Sequence, residues 1–152
     1  MTSFHQHRLV RRALVDWTAE KRFSHALTLN TDRVVSATSL GSIFKTFCLE
    51  FDRGTLGRNL TRVPQSNRLD AIAFPEKLST NAHLHAFADL KLASTIKGSD
   101  AAALEFARVC WMKATNGAGT FFQRPQPDGG WSGYCTKRFD GTYFFSQNYW
   151  PH

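Results

Sequence analysis

The chain has 152 residues, enough for one domain with a real core. With 42% hydrophobic and 20% charged residues it has an ordinary globular balance, which argues against a disordered or low-complexity chain. The net charge of +7 favours a polyanionic partner, and no apolar run approaches the roughly 20 residues needed to span a bilayer. A polar N-terminus without a signal-peptide core adds to the expectation of a cytoplasmic protein with no membrane partner. Cys48, Cys110 and Cys135 are far apart and match neither a zinc spacing nor a disulfide framework, so they are expected to be reduced, packed residues.

Leu9, Val10, Ala13, Leu14 and Trp17 recur at helical spacing with Arg8, Arg11 and Arg12 among them, predicting a basic amphipathic helix over 8–21. A short strand follows over 26–30, Ala-Leu-Thr-Leu-Asn. Thr38 or Ser39 is the expected cap of a second helix that carries Ile43, Phe44, Phe47, Cys48 and Phe51 and stops at Gly54 and Gly57. Residues 55–68 read as a loop or irregular edge strand. Leu69–Phe74 reads as a strand that turns from Pro75 through Asn81 into a second strand over 82–90. Ser99 or Asp100 caps a third helix bearing Leu104, Ala107, Val109, Cys110 and Trp111, which Gly117 and Gly119 end. A short strand at 120–123, a Pro/Gly turn at 125–130 and a brief helix at 131–138 complete the body. The aromatic tail, 139–152, is expected to pack back on it. Helices between strands that need not be parallel predict an α+β single domain over 1–152, with a central antiparallel sheet flanked by helices.

The tripeptide His83-Leu84-His85 opens an alternating run in which Leu84, Ala86, Ala88 and Leu90 oppose His83, His85, Phe87 and Asp89. Alternate side chains leave a strand on opposite faces, so both imidazoles are expected on one face. Two imidazoles on a rigid strand make two-thirds of a metal site. His5-Gln6-His7 has the same pattern without the alternation and is assigned no function. Glu76 is the best third ligand, because a hairpin would bring it alongside His83; Asp70, Asp89 and Glu50 are weaker substitutes. Two nitrogens and a carboxylate suit Mn²⁺ or Mg²⁺, and on ligand type zinc remains open. Tyr134 follows His83 by 51 residues, and Lys137 lies one helical turn beyond it, where an ammonium would stabilise a phenolate. Arg138 adds positive charge. Tyr143 and Tyr149 lack a cation one turn along.

Three segments, in order, carry a family resemblance. His25-Ala26-Leu27-Thr28-Leu29-Asn30 resembles the first motif of rolling-circle replication initiators, His83-Leu84-His85-Ala86-Phe87-Ala88-Asp89-Leu90 their His-hydrophobe-His motif, and Tyr134-Cys135-Thr136-Lys137 their tyrosine motif. The wording is closest to the single-tyrosine nucleases of circovirus-type and small plasmid elements, within the HUH endonuclease superfamily. The resemblance implies an RRM-like palm that nicks single-stranded DNA or a hairpin origin. It also implies a divalent metal on His83, His85 and an acidic residue such as Glu76, and a 5′-phosphotyrosine on Tyr134 assisted by Lys137. It places Thr28 and Asn30 at the DNA and the floor of the site, and Arg138 is read beside them as a DNA contact. The helix at 8–21 has no place in the compact members. No Gly-x-x-x-x-Gly-Lys-[Ser/Thr] segment is present, so a helicase would be a separate, host-supplied protein. The same chemistry would serve a relaxase or transposase. A non-catalytic single-strand-binding module is the alternative from another class; it would use the aromatics for stacking but would not need the histidine pair.

Overall fold

The computed structural model describes residues 4–21, 23–124, 136 and 140–150. Among these described residues four helices and five strands follow in the order α1 (Phe4–Lys21), β1 (His25–Asn30), α2 (Ala37–Leu56), β2 (Asp70–Glu76), β3 (His83–Asp89), α3 (Lys91–Lys97), α4 (Asp100–Ala114), β4 (Thr120–Arg124) and β5 (Phe144–Phe145), with short 3₁₀ turns between α2 and β2 and after β5. The strands form one antiparallel sheet in the order β4-β1-β3-β2-β5. The architecture is α+β with helices on the sheet, as the alternation of periodicities predicts.

Each face of the sheet has its own core. Leu27, Leu29, Leu84, Ala86, Ala88, Ala71 and Ala73 point one way. They pack against Leu40, Phe44, Phe47 and Phe51 of α2 and Ala103, Ala107 and Trp111 of α4. Small alanines at the sheet centre let the aromatic helix faces approach closely. On the opposite face Ile72, Phe74 and Phe87 join Phe23 beneath Leu14 and Trp17 of α1 and Phe145 of β5. Trp17 meets Phe23 and Phe145 edge-on, at centroid distances of 5.7 and 5.4 Å. The tail does pack back: Phe144 and Tyr149 lie against Phe44.

Several boundaries differ from the sequence expectation, each for a local reason. α1 starts at Phe4 and so takes in His5 and His7, and of its apolar residues Leu9 and Val10 face outward at 55% and 41% exposure. Ser36, not Thr38 or Ser39, caps α2, its hydroxyl accepting from the Ser39 amide at 3.2 Å. Gly54 does not end that helix. It lies inside it, where a Cβ would come within 2.0 Å of the Phe106 ring of α4, so glycine is required by the close helix approach. Gly57, at φ 100°, is the terminator. Pro75 is a strand residue, paired with Leu84, and not the start of a turn. Among the described residues β5 covers β2 only at Ile72 and Ala73, leaving the Pro75 end at an unpaired edge where a missing N–H is tolerated. Helix α3 was not expected. At the start of β2, buried Arg68 donates to Asp52 of α2 at 2.6 Å, and the same carboxylate accepts the Leu69 amide at 2.7 Å. The expected turn at 125–130 and most of the expected helix at 131–138 lie outside the described residues.

Candidate metal centre

The face of the sheet under α1 reads as cross-strand rows. One row runs Thr120, Asn30, His83, Glu76 across β4, β1, β3 and β2; the next runs Phe122, Thr28, His85, Phe74. The Phe87 row that follows is covered by Trp17 and Leu14, so α1 sits toward one end and the histidines lie toward the other. Period-two alternation puts both imidazoles on this face, as expected. The same spacing in His5-Gln6-His7 falls in α1, where residues two apart diverge around the axis.

Glu76 stands directly opposite His83 in the β2–β3 register. Its Oε2 lies 2.5 Å from Nε2 of His85 and 3.1 Å from Nε2 of His83. The three ligand atoms fall within 4.8 Å of one another, a spread that one metal ion can draw together. The donor set also fits a metal in its outer contacts. Nδ1–H of His83 donates to the Asn81 carbonyl at 3.0 Å, which fixes the tautomer and leaves Nε2 facing inward. Nδ1 of His85 faces the Thr28 hydroxyl at 3.5 Å, again directing Nε2 at Glu76. Asn81 is held because Thr31 and Arg33 clasp the adjoining Ala82 through its carbonyl and amide, at 3.1 and 2.9 Å. The centre is therefore tied to β1 as well as to its own hairpin.

Burial alone would raise the Glu76 carboxyl, but hydrogen bonds and charge from His85 first, then His83, outweigh it and hold its pKa below the usual value. His85 is buried at 2% exposure, Glu76 at 8%, and His83 keeps a partly exposed edge. The shared face is thus covered at His85 and open at the edge of His83.

The structure brings together His83, His85, Glu76, Thr28 and Asn30. Thr28 is buried beside His85, where it orients the ring, and the Asn30 side chain accepts the Asp32 amide at 3.0 Å while remaining partly exposed. The substitute ligands are elsewhere. Asp70 pairs with Lys21 at 2.6 Å and stands opposite Asp89, at the far end of the β2–β3 ladder, and Glu50 lies on α2 beside Arg53. Tyr134, Lys137 and Arg138 lie outside the described residues. Thr136 of the same motif is buried, and its carbonyl accepts from Arg11 of α1 at 2.8 Å. Of the other tyrosines, Tyr149 is held against Phe44 with its phenol pushed up to about 12, by burial first and then by Cys48. Tyr143 is exposed beside Phe74, ring centroids 6.5 Å apart. The Asn81 carbonyl has no signature in sequence, because any residue supplies one.

Among the described residues no helix is long and apolar enough to cross a membrane. Comparison of the chain with protein-family models, with curated proteins and with solved structures found no match in any of the three.

Proposed function

We propose that the protein is a metal-dependent endonuclease that nicks and rejoins single-stranded DNA through a tyrosine, as in the initiation of rolling-circle replication. The observation that carries this reading is the convergence of Glu76, His83 and His85 on one antiparallel sheet face of a chain with net charge +7. Two imidazoles and one carboxylate leave coordination positions for phosphate oxygen, and the donor set accepts Mn²⁺ or Mg²⁺. A divalent ion held there supplies Lewis-acid polarisation of a phosphodiester.

The remaining chemistry falls to side chains. The Tyr134 oxygen forms a bond to phosphorus as the bond from phosphorus to the 3′ oxygen breaks. The phenolic proton is lost to solvent and the leaving oxygen takes one up, ending as a 3′ hydroxyl. Lys137 stabilises the phenolate, and Arg138 holds the backbone. Because the phosphotyrosine conserves the energy of the broken ester, attack by a 3′ hydroxyl reverses the step and rejoins the strand. Asn81 and Thr28 hold the two rings so that Nε2 of His83 and Nε2 of His85 point into the centre.

Incubation with a pool of labelled single-stranded oligonucleotides and Mn²⁺, followed by denaturing electrophoresis, tests this directly. The native chain is expected to give a shifted covalent adduct that maps to the peptide containing Tyr134. Tyr134→Phe keeps the ring and removes the attacking oxygen, so it should bind DNA and form neither adduct nor nick. An adduct on Tyr143 or Tyr149 alone would move the nucleophile. Cleavage without any adduct would indicate a nuclease that uses water, and binding without cleavage would indicate a binding module.

A further inference from the structure

We infer that Phe122 is a stacking platform for a nucleobase of the DNA strand beside the scissile phosphate, a specificity contact that rests on the function proposed above. Phe121 and Phe122 are adjacent in β4, so the pleat sends them to opposite faces. Phe121 packs against the main core, whereas Phe122 is 56% exposed on the face of the histidines. Single exposed apolar residues are ordinary, and Leu9, Val34 and Ile96 need no explanation. Phe122 is set apart by position. It occupies the same cross-strand row as His85, with Thr28 between them. Two strand spacings separate it from His85, about 10 Å.

The ground between is passable. Thr120, next to Phe122 on this face, is exposed, and Asn30 beside it is partly exposed, leading to the accessible edge of His83. A strand with a phosphate at the Glu76–His83–His85 centre would therefore run over Asn30 toward the β4 edge and bring a flanking base onto the Phe122 ring. A nucleic acid is the occupant favoured by charge, because a chain at +7 attracts a polyanion. An aromatic face adds affinity that every base can use, so stacking there would grip the strand without demanding a particular base.

The test measures fluorescence anisotropy of the full chain, with Mn²⁺, on labelled oligo(dT) and on an abasic oligomer of equal length. Phe122→Leu keeps apolar bulk and removes the π face; Phe122→Trp keeps a π face. Loss of the ring should weaken oligo(dT) binding about tenfold, or about 1.4 kcal/mol. It should leave abasic binding and the salt dependence unchanged, since no phosphate contact is lost, and Phe122→Trp should bind oligo(dT) at least as well as the native chain. Coincident thermal melts of native and Phe122→Leu protein show that the fold is intact. Equal oligo(dT) affinity in native and Phe122→Leu protein, or an equal loss on the abasic oligomer, would overturn the platform while leaving the nuclease reading standing. Absence of binding to either oligomer by the native chain would overturn both.

Discussion

The two histidines of the centre have the same chemistry and unequal surroundings. His83 sits at a partly exposed edge with its outer nitrogen on a backbone carbonyl, and His85 is buried between Thr28 and Glu76. His83→Ala and His85→Ala should both abolish metal-dependent nicking. Only His85→Ala should also lower stability clearly, by about 1–3 kcal/mol, because it leaves Glu76 buried with a lost partner. Thermal melts with and without Mn²⁺ separate the two effects: the native chain should melt higher with metal, and neither variant should respond. The Glu76 carboxyl gives a second check at this scale. Its pKa in the folded protein is lowered from an ordinary 4.5, so its ionised form stabilises the fold above that value. That stabilisation is lost as pH falls through the lowered folded value. In metal-free buffer the melting difference between native protein and Glu76→Gln should therefore shrink as pH falls below about 4.5. A difference that grew as pH fell below that value would reverse the sign and refute the pairing.

At the scale of elements, the sheet is positioned by how closely its covering helices approach one another and the strands. Gly54 is the sharpest instance, because a methyl group there would overlap the Phe106 ring, which also packs on Phe51 and under the Lys97 ammonium. Relief would need the Phe106 ring to swing off Phe51 or the α2–α4 contact to open. Gly54→Ala should then cost about 1–3 kcal/mol by overpacking, despite the better helix propensity of alanine. Denaturant unfolding measures it; a stabilised variant would mean that propensity wins and that the helices separate easily. The strands show the complementary case. Pro75 reads locally as a turn, yet it extends β2 by carrying its missing N–H to an unpaired edge, and that extension is what places Glu76 opposite His83. A hairpin one residue shorter would put Glu76 on the wrong face.

For the whole molecule, the charge is the property that reaches beyond any site. If lysines and arginines neutralise phosphates, log affinity for single-stranded DNA should fall with log salt at about −0.7 per contact. Binding should also favour single strands over blunt duplex, since the proposed attack on phosphorus needs an accessible backbone. A flat salt response would remove the polyanion from the account. The helix α1 matters at this scale too. It covers the Phe87 end of the site face through Trp17 and Leu14 and holds the Thr136 carbonyl through Arg11. An element that had no place in the family resemblance thus closes one end of the candidate site and touches the segment that carries Tyr134.

Much of this was legible in sequence because it depends on period and nearest neighbours. The α+β class, the common face of His83 and His85, and the reach of Glu76 across a hairpin all follow from alternation at period two and one short turn. Cap position, the tolerance of Gly54 within a helix and the existence of α3 did not follow, since each depends on what packs alongside. Nor did the exposure of Phe122, because Phe121 and Phe122 are chemically identical and only the placement of α4 and α2 decides which face is covered. The orientation of the imidazoles was likewise a tertiary matter. It rests on Thr28 and on a carbonyl of Asn81, groups that sequence offers everywhere and that only the pairing of β1, β2 and β3 brings to the right nitrogen.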